Sequence, residues 1–250
     1  MGAAPLRPVR GSAPHGHDPR RADLAEAFDH ASRTYDRMTS SSPGYHRDLR
    51  RSAARLALPG GGAGRCVLDL GCGTGASTEA LLRAAPLASI TGVDASAGML
   101  ERARRKVWPP NVCFVHTPVE AAEAAGVRGP YDAVFAAYLF RNVADPDAVL
   151  AQVRGLLRPG GRLVVHEYAL SGRRVHRATW SAVMAGIVLP WGRLHGDGRL
   201  YRHLWRSVVD FDTATAFAER LRRAGFDGVR TRPQPGWQRG ITHTFLATRP

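Results

Sequence analysis

The chain has 250 residues, 44% of them hydrophobic, and a formal net charge of +14. That length suits one α/β domain with a single core, and the ordinary apolar fraction argues for a globular body. So positive a charge points towards nucleic acid or a membrane surface, yet Lys106 is the sole lysine and the arginines are spread along the chain, as a GC-rich coding sequence tends to produce.

Cys66, Cys72 and Cys113 are odd in number and lack any Cys-x-x-Cys spacing. They argue against a disulfide framework and a zinc site, and favour a reducing, cytoplasmic setting. No stretch reaches the roughly 18 unbroken apolar residues of a membrane-spanning helix. Residues 1–20 are rich in Pro, Gly, Ala and Arg without an apolar core, so they read as a disordered tail with no secretory signal. His15 and His17 in that tail are too few ligands for a metal site, and no metal is expected.

Two helices are expected ahead of the core, as an N-terminal cover over 21–60. Leu24, Ala27, Phe28 and Ala31 share one face of the first, and Ser40–Gly44 breaks the chain. The second runs from about 45 to 58 and stops at Pro59–Gly62. Strand and helix then alternate through 65–170. Strands are predicted at 66–70, 89–94, 112–115, 131–137 and 162–168, with helices at 76–85, 97–106 and 146–157. That alternation predicts a parallel sheet with right-handed crossovers. Residues 171–250 supply a substrate lid and the last strands. They hold an apolar helix over 175–189, a helix over 213–224 ending at Gly225, and strands at 226–232 and 240–248.

Val67-Leu68-Asp69-Leu70-Gly71-Cys72-Gly73-Thr74-Gly75 is the stretch the rest serves. A short buried strand breaks into alternate glycines and then a helix, the entrance of a nucleotide-type site. Asp94 ends the next strand, where a carboxylate can accept from both hydroxyls of a ribose. A dinucleotide fingerprint would carry its third glycine one residue later, at Ala76. An acidic residue before Gly-x-Gly-x-Gly instead resembles the first motif of class I S-adenosylmethionine (SAM) methyltransferases.

Further segments narrow the resemblance. Phe28, Tyr35-Asp36, Gly44-Tyr45-His46-Arg47, Tyr131-Asp132-Ala133-Val134, Arg141-Asn142-Val143, Leu157–Gly161 and Tyr201-Arg202-His203-Leu204 with Ser207-Val208 are similar to the UbiE/COQ5/MenG group of quinone C-methyltransferases. The resemblance implies a Rossmann-like fold: a mostly parallel seven-stranded sheet with an antiparallel last strand and helices on both faces. It implies SAM as cofactor and S-adenosylhomocysteine as product. It implies methyl transfer to a hydrophobic aromatic acceptor, a quinol such as demethylmenaquinol, without nucleic acid as partner. Peripheral membrane contact and a homodimer stay open. The alternative is a small-molecule methyltransferase of specialised metabolism, which the divergent tail Gly236–His243 favours. A nucleic-acid methyltransferase is third, and Ala136-Ala137-Tyr138-Leu139 lacks the Asn/Asp-Pro-Pro-aromatic motif usual in enzymes that methylate base amines. A SAM-binding regulator without activity is a reading of another class.

On the same resemblance Asp69, Gly71, Cys72, Gly73 and Gly75 face the amino acid part of SAM and Asp94 holds the ribose. Ala95, Met99, Pro118, Val119 and Ala137 line the rest of the cofactor site, and Tyr35 and His46 of the cover close over it. His116-Thr117-Pro118-Val119 stands where the family usually has Gly-Asp-Ala, which leaves adenine to backbone groups and apolar contacts. Among the candidate bases His46, Tyr138, Arg141, His166 and Glu167, the family points to Arg141. A guanidinium is a poor base, so stabilising a developing quinolate is its easier role. His166 is equally a catalytic or a structural histidine, and it cannot share a strand face with Glu167. Tyr138 reads as a pocket wall as readily as a base.

Overall fold

The computed structural model describes residues 26–30, 32, 36–37, 39–40, 44–194, 196 and 198–250. Seven strands form one sheet: β1 (Cys66–Leu70), β2 (Ser89–Asp94), β3 (Val112–His116), β4 (Tyr131–Ala137), β5 (Leu157–Tyr168), β6 (Asp227–Pro233) and β7 (Thr242–Thr248). Their order is β3-β2-β1-β4-β5-β7-β6, with β7 antiparallel to both neighbours and the remaining pairings parallel. The chain leaves β1 towards one edge and returns at β4 towards the other. The strand order therefore reverses between β1 and β4, where open α/β sheets bind ligands.

Alternate residues of the central strands feed two cores. Val67, Ala133, Phe135 and Val164 pack beneath α1 (Tyr45–Ala54) and α2 (Ala76–Ala84). Leu68, Val134, Ala136, Leu163 and Val165 pack on the other face, with Leu150 and Val153 of α4 (Pro146–Leu156) and Phe217 and Leu221 of α8 (Ala214–Arg223). Both faces are covered, so the inner strands are apolar on successive residues.

Helix starts follow local chemistry. Ser96 caps α3 (Ala97–Arg104) by accepting from the Met99 amide. Asp145 caps α4 by accepting from the amides of Asp147 and Ala148, with Pro146 in the first turn. Gly225, at φ 80°, closes α8 in the left-handed conformation a glycine tolerates. Residues 158–161, between the predicted helix and the predicted strand, form a bulge inside β5, where the partner of Tyr131 is Leu157 but that of Ala133 is Arg162.

The lid differs from its sequence reading. The apolar helix is α5 (Arg174–Val183), running through a π-helical segment (Met184–Val188) into α6 (Leu189–Leu194). The wider turn changes the phase of the apolar stripe. Trp180 and Met184 are buried, whereas Ile187, within the same predicted apolar helix, is 66% exposed. A further helix, α7 (Gly198–Asp210), carries the Tyr201–Val208 signature and buries Leu200, Tyr201 and Val208.

Candidate active site

β1 ends in the glycine loop. The amides of Gly71 and Cys72 both donate to the Val93 carbonyl, which folds the loop back over β2. Gly71, Gly73 and Gly75 all have positive φ, a region that L side chains rarely adopt. A Cβ on Gly75 would stand 2.7 Å from the Trp108 ring, whereas one on Gly73 would meet nothing within 4 Å. The loop is thus packed from below at Gly75 and open at Gly73. The open space is lined by Tyr45, Gly71, Cys72, Gly73, Thr74, Ala76, Ser77, Ala137 and Tyr138.

Two carboxylates stand at this cradle. Asp69 is wholly buried, with Oδ2 accepting from Ser77 Oγ at 2.8 Å and Thr78 Oγ1 at 2.6 Å. Its Oδ1 is buried without a hydrogen-bond partner. Burial pushes the Asp69 carboxyl up to about 7. The hydroxyls of Ser77 and Thr78 pull the other way, and the nearby Asp94 adds to the rise. Asp94 ends β2 and accepts one backbone amide on each oxygen, Ser96 on Oδ1 at 2.9 Å and Gly73 on Oδ2 at 2.8 Å. Burial raises its pKa too, against the pull of those two amides.

The remaining cofactor candidates fall around this pair. Ala95 is exposed and its carbonyl meets His116 Nε2 at 3.0 Å. Met99 is buried in the first turn of α3. Pro118 follows Thr117, whose amide donates to the Asp94 carbonyl, and Val119 is buried behind it. Ala137 lines the cradle directly. His46 lies edge-on to the Tyr45 ring and lines neither cavity of the site. Tyr35 lies outside the described residues.

The N-terminal cover is tied onto both loops. Asp29 accepts from Ser96 Oγ and from the Gly98 amide, and Asp36 accepts from Thr74 Oγ1 at 2.5 Å. These contacts bridge Asp29 and Asp36 to the chain just beyond β1 and β2.

A second cavity adjoins the first. It encloses about 60 Å³ and is lined by Phe28, Tyr45, Tyr138, Arg141, Tyr168 and, from α7, Leu200, Tyr201, His203 and Leu204. Tyr45 and Tyr138 line both cavities and stack, with ring centroids 5.7 Å apart. Tyr138 is strained, at φ 56°. It is held there by its amide donating to the His166 carbonyl at 2.8 Å and its hydroxyl meeting His166 Nε2 at 2.9 Å. Non-glycine residues at positive φ persist only where their surroundings over-determine them, often at functional sites.

Behind Tyr138 runs a polar chain. His166 Nδ1 meets Ser52 Oγ at 2.8 Å, Ser52 meets Thr244 Oγ1 at 2.7 Å, and Gln234 Nε2 donates to Ser52 and Thr244. Burial drives the His166 pKa down to about 3, so its ring is neutral. The chain pins α1, and with it Tyr45, to β5 and β7.

Glu167 faces the other way. It is wholly buried, and its Oε1 accepts from Arg141 Nη1 at 2.6 Å. Burial raises the Glu167 carboxyl above its ordinary value in spite of the guanidinium beside it. Arg141 Nη1 also donates to the Tyr138 carbonyl at 2.7 Å, while its buried Nε has no partner. The guanidinium lies 5.5 Å from the Tyr138 ring centre and 5.4 Å from that of Tyr168. Tyr168 closes the strand end at which a ligand is expected, whereas Tyr45 and His203 were not among the expected site residues. Their signal lay in spacing: His203 is three residues after Leu200, which puts it on the inward side of α7.

The cradle fits SAM on its own chemistry. The unpartnered buried oxygen of Asp69 suits an ammonium-bearing ligand, Asp94 suits a diol, and the open Gly73 admits a backbone-close ligand. When bound, SAM supplies an electrophilic methyl group. Sheet order and site together define a class I SAM-dependent methyltransferase. Solved structures agree on the fold. The chain superposes on Haemonchus contortus phosphoethanolamine N-methyltransferase 2 in complex with SAM with a TM-score of 0.67 at 16% identity, covering 92% of this chain and 60% of that one. It also superposes on Burkholderia thailandensis 1,6-didemethyltoxoflavin-N1-methyltransferase, with a TM-score of 0.61 at 20% identity, covering 95% and 92%.

Sequence comparison goes further. The profile of the ubiE/COQ5 methyltransferase family matches residues 17–245, and the chain belongs to that family. It is 33% identical over 236 residues to a demethylmenaquinone methyltransferase of Mycolicibacterium paratuberculosis, covering 93% of this chain and 96% of that one. It is 32% identical over 222 residues to the demethylmenaquinone methyltransferase of Clavibacter sepedonicus, covering 85% and 88%. No helix among the described residues is long and apolar enough to cross a membrane.

Proposed function

We propose that the protein methylates a ring carbon of a reduced quinone, a demethylmenaquinol-like acceptor. The observation that carries this reading is the second cavity: an aromatic and aliphatic chamber sharing the Tyr45–Tyr138 wall with the cofactor cradle, with one buried guanidinium at its side. The names of the relatives point the same way. Tyr45, Tyr138 and Tyr168 pack on one another and line the chamber with aromatic surface for a planar ring. Their faces also attract a cationic centre brought to the wall between the cavities.

Each protein group has a task. Asp69 and Asp94 anchor the two ends of the cofactor. Arg141 offers its unpartnered Nε–H to the acceptor oxygen, where charge grows as the ring carbon attacks. Glu167 holds the guanidinium in place and offsets its charge at rest. His166 stays neutral and positions Tyr138. Fixing acceptor and methyl group in line supplies several kcal/mol, up to roughly 7–11 in the best intramolecular cases.

The lid carries the approach route. Val175, Ile187 and Leu194 are 52%, 66% and 83% exposed, and Arg173, Arg174, Arg177 and Arg193 around them are exposed as well. Apolar side chains flanked by arginines suit the interface of an anionic bilayer, from which a prenylated acceptor is drawn. The test is methyl transfer from labelled SAM to a reduced demethylmenaquinone analogue. Turnover that requires the reduced form supports the reading, and SAM binding without transfer overturns it.

A further inference from the structure

His203 stands in the acceptor cavity on α7 and is outside every role given above. Its Nε2 lies 3.0 Å from Asn142 Oδ1. Which atom donates is fixed by the next contact along. Asn142 Nδ2 donates to the Tyr138 carbonyl at 3.0 Å, and turning the amide over would set two oxygens against each other. Oδ1 therefore faces His203, and His203 Nε2 must carry the proton. That leaves Nδ1 as the bare nitrogen, and among the described residues it accepts no hydrogen bond. Tyr138, Asn142 and His203 form a relay in which the one neutral tautomer consistent with these contacts leaves a free lone pair on a residue lining the cavity.

We propose that His203 is the general base of the transfer, taking the acceptor's hydroxyl proton at Nδ1, with Asn142 as the positioning residue that fixes its tautomer. This rests on the quinol reading insofar as the acceptor needs an ionisable ring hydroxyl. The balance is simple. Nδ1 takes the hydroxyl proton as the ring carbon forms its bond to the methyl group, and the electron pair of the broken S–CH₃ bond stays on sulfur. The ring C–H is then lost as a proton to water, its pair restoring the aromatic ring. His203 returns its proton to the ring oxygen, so the net product is one proton in solution.

The surroundings keep the ring neutral. Burial lowers the His203 pKa below its ordinary 6.5, and the positive Arg141 lowers it further. Among the described residues, the charged groups facing it from neighbouring elements are Arg141 and, behind it, Glu167. Tyr45, Tyr168 and Tyr201 share the cavity, and its own helix bears Arg199, Arg202 and Arg206. A base below neutrality is fully available at physiological pH, and general-base help is typically worth about 10²–10⁴-fold.

The test uses the full-length protein. In ¹⁵N-histidine-labelled enzyme, the His203 signals, assigned by their loss in His203→Gln, should report protonated Nε2 and bare Nδ1 near neutral pH. With the reduced analogue, kcat of the wild type should fall as the pH drops through the His203 pKa. In His203→Gln, kcat should be at least about 10²-fold lower, without that acid limb, and with SAM affinity unchanged. A proton on Nδ1 overturns the proposal whether or not the analogue turns over. So does a variant that keeps the acid limb or retains kcat within about threefold. A wild type that ignores the analogue, with the tautomer as stated, counts against the quinol reading and leaves the assignment at His203 supported by the tautomer.

Discussion

Tyr45 and Tyr138 stack with their ring planes 15° apart and line both cavities of the candidate site. One ring comes from the N-terminal cover and the other from the turn after β4, and His166 links them through Ser52. Changing Tyr138→Phe keeps the wall and strips the partner from His166 Nε2. A buried polar atom left unsatisfied costs about 1–3 kcal/mol, so the melting temperature should fall by roughly 2–4 °C for each kcal/mol. SAM affinity should stay within about twofold. Calorimetry of the two proteins decides, and an unchanged melting temperature would contradict the relay.

On the proposed role of Asp69, cofactor binding should depend on pH. Its pKa is about 7 in the folded protein against 3.8 for an ordinary aspartate. The folded state therefore holds the extra proton between those values, and this group makes stability fall as pH rises through that window. The stability of Asp69→Asn relative to wild type should grow from about pH 4 to about pH 7 and then level off, by an amount on the order of 4 kcal/mol. SAM, whose ammonium needs the ionised form, should bind wild type more tightly near pH 8 than near pH 6. Titration calorimetry in two buffers of different ionisation heat would show proton release. No release would sink the assignment of Asp69.

His166 has the opposite sign. Its pKa drops from 6.5 to about 3 on burial, so the unfolded chain binds the proton first and stability from this group is lost as pH falls below about 6.5. A neutral glutamine at 166 should flatten the acid side of the stability profile. A profile of unchanged slope would show that the ring is charged in the fold.

Arg141 and Glu167 must be varied together. Removing either partner of a buried ion pair costs about 3–5 kcal/mol because the other charge is left uncompensated. Arg141→Ala alone should thus both destabilise and inactivate. The pair Arg141→Met with Glu167→Gln should recover most of the stability while methyl transfer stays lost by about 10²-fold or more. Recovered activity in the double variant would remove Arg141 from the chemistry.

The cover contacts predict a gate. Asp29→Ala removes the acceptor for Ser96 Oγ and the Gly98 amide. Hydrogen bonds to charged groups are worth about 1.5–3 kcal/mol, so SAM affinity should fall by roughly tenfold or more with the melting temperature of the core little changed. An unaltered affinity would show that the cover does not close on the cofactor.

The lid predicts a salt-sensitive surface. Wild type should sediment with vesicles containing anionic phospholipid and not with neutral ones, and Ile187→Ser with Leu194→Ser should abolish this without changing SAM affinity. Equal binding to both vesicle types would remove the arginines from the account.

The cofactor half of the site is legible in the residues because strand ends and glycine turns are local features. Val67–Leu70 and Asp94 fall where periodicity puts them. The acceptor half is not, because it is made by α7 crossing from afar. Leu200, Tyr201, Leu204 and Val208 carry a helical spacing that reads as a family signature before it reads as a helix. The two roles open for His166 turn on what packs behind Tyr138, and Ser52, Gln234 and Thr244 lie up to 192 residues apart in sequence. Alternation along β5 does separate His166 from Glu167, but which face borders the cavity is a tertiary matter. The exposed Ile187 has a local cause, a π-turn, that no 3.6-residue period anticipates.

The most direct test of the central claim is the position of the methyl group. Wild-type enzyme given SAM labelled with ¹³C at the methyl group and a reduced demethylmenaquinone analogue should yield a product whose labelled carbon is bonded to a ring carbon by NMR, with none from the oxidised analogue. Label on oxygen, or no label in the analogue while SAM binds, would contradict the account.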